Sequence, residues 1–135
     1  LLIALFKVGC GTCKYSFPYW RRYYAEYASR AAGRFQIWGV SQDSADATAT
    51  FADEYGGAGY PLLLDEGLQA SRAYRITHVP DLYLLDDGDK VVDAVVGHFS
   101  ATGYNRISAA IADRLLLPYA PVVREEDGAP GLKPG

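Results

Sequence analysis

Hydrophobic and polar positions divide the chain into a short series of alternating strands and helices. Residues 1–6 form an unbroken apolar run whose length suits one buried strand. Apolar side chains then fall at Cys13, Phe17, Trp20, Tyr24, Tyr27, Ala28 and Ala31, a spacing of three and four that predicts a long helix closed by Gly33. Residues 35–40 predict a second buried strand, and Asp43 or Ser44 caps a helix that carries Phe51 and Tyr55 until Gly56-Gly57 stops it. A short strand at 61–64 and a short helix at 68–74 follow. Two β-rich runs, 81–85 and 90–96, flank Asp86-Asp87-Gly88-Asp89, and Asp-Gly between apolar runs predicts an antiparallel hairpin. Ser100 or Thr102 opens a last helix with Tyr104, Ile107, Ile111 and Leu115 facing inward, ended by Pro118. From Tyr119 the periodicity stops, and the Gly, Pro and charge content of 119–135 predicts a mobile tail.

This order, β-α-β-α, a short β-α insertion, then a hairpin and a closing helix, predicts an α/β protein. Right-handed crossovers give it a central mixed sheet with helices on both faces, three layers in all. A chain of 135 residues, half of them hydrophobic, suffices for one domain with a real core. The net charge of -3 supplies no field to gather phosphates, which argues against a nucleic-acid partner. The opening apolar run is too short to cross a bilayer, no basic segment precedes it, and Lys7 stands where a lipoprotein signal wants a large apolar residue before Cys10.

Both cysteines lie in Cys10-Gly11-Thr12-Cys13, directly after the first strand and at the start of the first helix. Side chains three apart on a helix are roughly 5–6 Å apart at Cβ, so a disulfide can open and close there with little backbone movement. At a helix N-terminus, free N–H groups and the dipole stabilise a thiolate, most strongly on the first cysteine, which also tends to be the more exposed. Cys10 is thereby the expected nucleophile and Cys13 the resolving thiol. Lys7, Lys14 and the Thr12 hydroxyl stand where they either favour the thiolate or are simply solvated.

Phe6, the Cys10–Cys13 motif and Pro18 inside the following helix resemble the active-site segment of thioredoxins. Gly39-Val40-Ser41 through Phe51, then Pro61-Leu62-Leu63-Leu64-Asp65, Ala73-Tyr74 and Val79-Pro80 resemble the redoxin branch, close to the TlpA-like oxidoreductases. The likeness runs over residues 1–118 and implies one thioredoxin-like α/β/α domain with a C-terminal β-hairpin and helix. It also implies a cis peptide bond at Pro80 facing the cysteines, with the backbone of Val79 pairing with an incoming substrate strand. Gly11, Thr12, Val79 and Pro80 are then the expected substrate-binding residues. The implied function is thiol-disulfide exchange with protein or peptide thiols, more as reductant than oxidant, served by a separate donor or acceptor protein. It implies an extracytoplasmic place, a monomer, and no cofactor beyond the Cys10-Cys13 disulfide. Three positions depart from the pattern. The buried acid of many thioredoxins falls at Ala4, the glutamate after the second cysteine of many TlpA-like proteins at Ser16, and the tryptophan before the first cysteine at Gly9. Neither expected proton acceptor for Cys13 is present, which leaves water, Tyr15 or another group to assist.

Other chemistries fit less well. Cys10, Cys13, His78 and His98 have the donor types of a zinc site but lack the short histidine spacing of zinc modules; His78, beside Val79-Pro80, either tunes Cys10 or serves the loop. A peroxiredoxin-like peroxidase resembles its kin in a Pro and a Thr or Ser seven and three residues before the reactive cysteine. Those positions are Ile3 and Lys7 for Cys10, and Phe6 and Cys10 for Cys13. A thioredoxin-like binding module without efficient turnover is favoured by the missing acids and disfavoured by the intact thiols. Asp86, Asp87 and Asp89 are explained by their turn before they suggest calcium.

Overall fold

The computed structural model describes all 135 residues. Its main sheet has the order β3-β2-β1-β4-β5. β1 (Leu2–Phe6) lies at the centre, parallel to β2 (Ile37–Ser41) and antiparallel to β4 (Asp81–Leu85). β3 (Leu62–Leu64) extends the parallel side, and β5 (Val91–Val96) closes the antiparallel side. A second, two-stranded sheet joins β6 (His98–Ser100) to β7 (Leu132–Pro134).

The helices are α1 (Gly11–Glu26), α2 (Ala45–Glu54), α3 (Gln69–Ala73) and α4 (Ala101–Leu115). The starts of α2 and α4 follow the expected chemistry. Ser44 caps α2 by accepting the Ala47 N–H at 3.2 Å, and Ser100 caps α4 by accepting the Gly103 N–H at 3.0 Å, contacts worth about 1 kcal/mol each. Two helix ends differ from expectation, which placed them at Gly33 and Pro118. α1 stops at Glu26, where a 3-10 turn (Ala28–Arg30) takes over, because Tyr27 leaves helical geometry with ψ -59 at φ -126. α4 ends at Leu115, and Leu116 takes the left-handed conformation at φ 54 while 90% exposed.

Phe6 links the sheet to its helical cover. Its ring lies 5.9 Å from Phe17 and 5.8 Å from Trp20 of α1, and 5.4 Å from Phe51 of α2. α4 meets α1 through polar atoms set in an apolar seam. The Trp20 indole N–H donates to the Tyr104 hydroxyl at 3.2 Å, and the Tyr23 hydroxyl donates to the Tyr104 carbonyl at 2.6 Å. The inward stripe of α1 therefore runs through Tyr23, fully buried, with the expected Tyr24 only half-buried.

The expectation of a mobile tail from residue 119 is corrected by the structure, which packs that segment across α1 and α4. Val122 and Val123 are buried. Asn105 pairs with the backbone of Val123 in both directions, at 2.8 and 2.9 Å. The Tyr27 hydroxyl donates to Ala120 O at 2.8 Å, and the Ala120 N–H donates back to it at 2.9 Å. Arg22 grips Asp127 with two nitrogens at 2.6 and 2.9 Å. Sequence periodicity is blind to such a segment, because it is held by backbone groups meeting side chains of other elements rather than by a repeating apolar face.

The Arg22 guanidinium holds the Asp127 carboxyl down at about 2. A depressed carboxyl stabilises the fold above its unfolded value of about 3.9, and the stabilisation is lost as pH falls toward 2. Asp127→Asn should lower thermal stability at pH 7 by up to about 1 kcal/mol, a few degrees in Tm. In thermal unfolding followed by circular dichroism, the gap between variant and parent should close at pH 2.

Candidate active site

β1 ends at Phe6, and four residues carry the chain into α1. The Cys10 N–H donates to Lys7 O at 3.3 Å to close this turn, and the Val8 N–H donates to Asp43 Oδ2 at 2.7 Å, tying it to the end of β2. Cys10 is the N-cap of α1, in extended geometry, and its sulfur accepts the Cys13 N–H at 3.1 Å. A negative charge on that sulfur meets a backbone donor and the positive end of a 16-residue helix. The cysteines are free thiols that come within 2.7 Å of each other. Cys10 is 8% exposed and Cys13 is fully buried, so the expected order of exposure is present, although both are sheltered.

Burial pushes the Cys13 thiol far above the usual thiol range, and its hydrogen bond with Cys10 adds to the shift; the backbone and charge of Lys7 pull the other way. Ala4 and Ser16 are both buried and supply no carboxylate, and the Ser16 hydroxyl has no hydrogen-bond partner. The Tyr15 hydroxyl lies 3.3 Å from that of Tyr19 while its ring packs edge-on against Phe99.

The Val79-Pro80 peptide bond is cis. The Cys10 thiol donates to Val79 O at 3.6 Å, whereas the Val79 N–H has no partner in the chain. Cys10, Gly11, Thr12 and Val79 thus border one open cleft of about 470 Å³, with Lys7 and His78 on its rim. Gly11 is exposed; the Thr12 hydroxyl turns aside to donate to Pro134 O. Pro80 is buried behind Val79 at the start of β4. His78 is exposed with Nδ1 3.2 Å from Thr77 Oγ1, and His98 Nδ1 lies 2.9 Å from Val96 O. No three His, Cys, Asp or Glu side chains converge as a metal site would require. Asp86 is engaged by its own turn, accepting the N–H groups of Gly88 and Lys90.

Sequence reading passed over two features of this end of the sheet. Asp81, the polar first residue of an otherwise apolar strand, is fully buried. It accepts the Gly97 N–H at 2.6 Å and the Tyr83 hydroxyl at 3.1 Å. Burial nevertheless keeps its carboxyl above the usual range. The other is the approach of residues 133–135 to the cleft, which no periodic pattern announces.

A cysteine pair at the N-terminus of the helix after the central strand, a cis-proline opposite, and a closing hairpin and helix together define the thioredoxin-like class. Residues 1–94 match the AhpC/TSA family, and the chain belongs to it. Thiol-disulfide oxidoreductase ResA of Bacillus thuringiensis (strain Al Hakam) and that of Bacillus anthracis are each 27% identical over 89 residues, covering 65% of this chain and 49% of theirs. The chain therefore spans about half the length of these curated relatives. Among solved structures, a putative thiol:disulfide interchange protein DsbE from Chlorobium tepidum superposes with a TM-score of 0.72 at 24% identity, over 84% of this chain and 78% of that one. A secreted Mycobacterium tuberculosis disulfide oxidoreductase superposes with a TM-score of 0.66 at 15% identity, over 83% and 79%. These likenesses establish the fold. No helix is long and apolar enough to cross a membrane.

The difference in burial between the thiols has a chemical readout. Iodoacetamide at pH 7.5 should modify Cys10 at least about tenfold faster than Cys13, followed by mass mapping of quenched samples. The Asp81 carboxyl, raised by burial, stabilises the fold below its unfolded value near about 4 and loses that contribution as pH rises. Asp81→Asn, which keeps an acceptor for Gly97, should therefore gain stability relative to the parent between pH 4 and pH 7 in denaturant titrations.

Proposed function

We propose that this chain is a thiol-disulfide oxidoreductase that exchanges disulfides with protein or peptide thiols, working chiefly as a reductant. The observation that carries the reading is the meeting of the Cys10 N-cap sulfur, Cys13 one turn further on, and the Val79-Pro80 peptide at one cleft. The names of the ResA relatives support the same chemistry. In the first step the Cys10 thiolate attacks a substrate disulfide, forming a Cys10–substrate bond while the other substrate sulfur leaves as thiolate and takes a proton from solvent. In the second, deprotonated Cys13 attacks Cys10, the substrate sulfur leaves, and a Cys10-Cys13 disulfide remains. Two electrons have passed to the substrate, and a separate dithiol protein restores the pair. Gly11 leaves the sulfur approachable, and the free N–H of Val79 is a donor for an extended substrate backbone. The reaction needs no cofactor beyond the cysteine pair. An extracytoplasmic place agrees with this reading, as the secreted structural relative does.

The peroxidase alternative lacks its expected residues, since Ile3 and Lys7 stand where Pro and Thr or Ser would precede Cys10. A binding module would show a pair that does not cycle.

Cys10→Ser should abolish insulin reduction, and Cys13→Ser should accumulate mixed disulfides visible by mass spectrometry; turnover surviving the first change would overturn the assigned nucleophile. Because burial holds Cys13 protonated, resolution should be the slow step and should accelerate roughly tenfold per pH unit between pH 7 and 9, read by quenched-flow mass analysis. Equilibration with dithiothreitol buffers decides direction: a reduction potential near about -270 mV marks a reductant and one near about -120 mV an oxidant.

A further inference from the structure

The edge of β6 next to the cleft is occupied by the chain's own last residues. β7 pairs with it antiparallel, Phe99 opposite Lys133 and His98 opposite Pro134. Past the end of β7, the Gly135 N–H donates to Gly97 O at 2.9 Å, and the Pro134 carbonyl accepts the Thr12 hydroxyl. Gly135 lies against the carbonyl of Val79, the same atom to which the Cys10 thiol donates. A Cβ at position 135 would collide with that oxygen and stand 2.7 Å from Gly97 O, so only glycine fits. These residues therefore touch both flanks of the sulfur, Thr12 on one side and Val79 on the other.

The hold on this segment is almost wholly main chain. Leu132 is 59% exposed, Pro134 and Gly135 are exposed, and the Lys133 ammonium lies 5.9 Å from the Tyr15 ring. The firm anchors of the C-terminal region, Val122, Val123 and the Arg22–Asp127 pair, all lie before residue 128. A short segment attached by backbone pairing at a sheet edge is open to replacement by another strand of matching shape.

We infer that the β6 edge, with Thr12 and Val79 at its end, is a docking surface for an extended peptide segment, and that residues 131–135 are its built-in occupant. A substrate segment reaches Cys10 by displacing them, pairing with residues 97–100 and presenting a small residue to the Val79 carbonyl. Small disulfides enter through the cleft beside His78 and need no displacement. This inference rests on the oxidoreductase reading and names the substrate as extended, unfolded polypeptide.

The test compares, as dithiols, the full chain, a chain ended after Ala129, and the full-length Gly135→Leu variant, whose side chain the Val79 carbonyl excludes. Each reacts with glutathione disulfide and with an unstructured twelve-residue peptide carrying one cysteine as its glutathione mixed disulfide. Both altered chains should reduce the peptide disulfide at least about fivefold faster than the full chain, with glutathione disulfide within about twofold. Adding the pentapeptide Gly-Leu-Lys-Pro-Gly to the shortened chain should slow the peptide reaction and shift the amide resonances of residues 97–100. Peptide rates unchanged in both altered chains, or a pentapeptide that neither slows nor shifts, would overturn the docking surface. Failure of all three proteins with both disulfides would instead sink the oxidoreductase reading, and the amide shifts would still decide the docking.

Discussion

Three aromatic side chains, Trp20 and Tyr23 of α1 and Tyr27 just past its end, are completely buried, and each carries a polar atom into the dry interior. An unpaired buried donor costs about 1–3 kcal/mol, so the rest of the molecule is arranged around satisfying them. Trp20 and Tyr23 find their partners on Tyr104, which fixes where α4 must lie. Tyr27 finds Ser108 and the backbone of Ala120, which fixes where the chain goes after α4. Since α1 also carries Cys10 and Cys13 at its other end, the interactions that seat the helix seat the chemistry as well.

Much of this was legible in the sequence. The strand at 81–85, the caps narrowed to Asp43 or Ser44 and to Ser100 or Thr102, and the position of the cysteines at a helix start follow from local chemistry that tertiary contacts reinforce. The end of α1 was less so, because Tyr27, Ala28 and Ala31 keep an apolar rhythm after the helix has given way to a tighter turn. The course of 119–135 was not legible at all. Asn105 and Arg22 meet that segment as single side chains 18 and 105 residues away in sequence, and one-dimensional pattern carries no trace of such pairings. Asp81 was visible as a residue but not as a buried one, since a polar first residue of a strand is more often solvated.

The site combines a sulfur at the edge of the cleft with one that is fully buried. Cys10 has a helix N-terminus and a backbone donor for its charge, whereas Cys13 is fully buried with no carboxylate at Ala4 or Ser16. In the proposed exchange, the absence of acids at Ala4 and Ser16 bears on one half-reaction: bond formation is served by the helix, and release waits on a proton held by burial. Long-lived mixed disulfides are the expected product of that asymmetry in the proposed exchange, and slow release makes the ease of letting go a basis for discrimination between substrates.

The closeness of the two sulfurs bears also on damage. A peroxide that reaches Cys10 converts it to a sulfenic acid, and further oxidation of that species requires a second oxidant molecule to arrive. Cys13 is already hydrogen-bonded to Cys10. Condensation with the neighbouring thiol gives a Cys10-Cys13 disulfide and releases water, so an accidental oxidation ends in a bond that a dithiol can reduce.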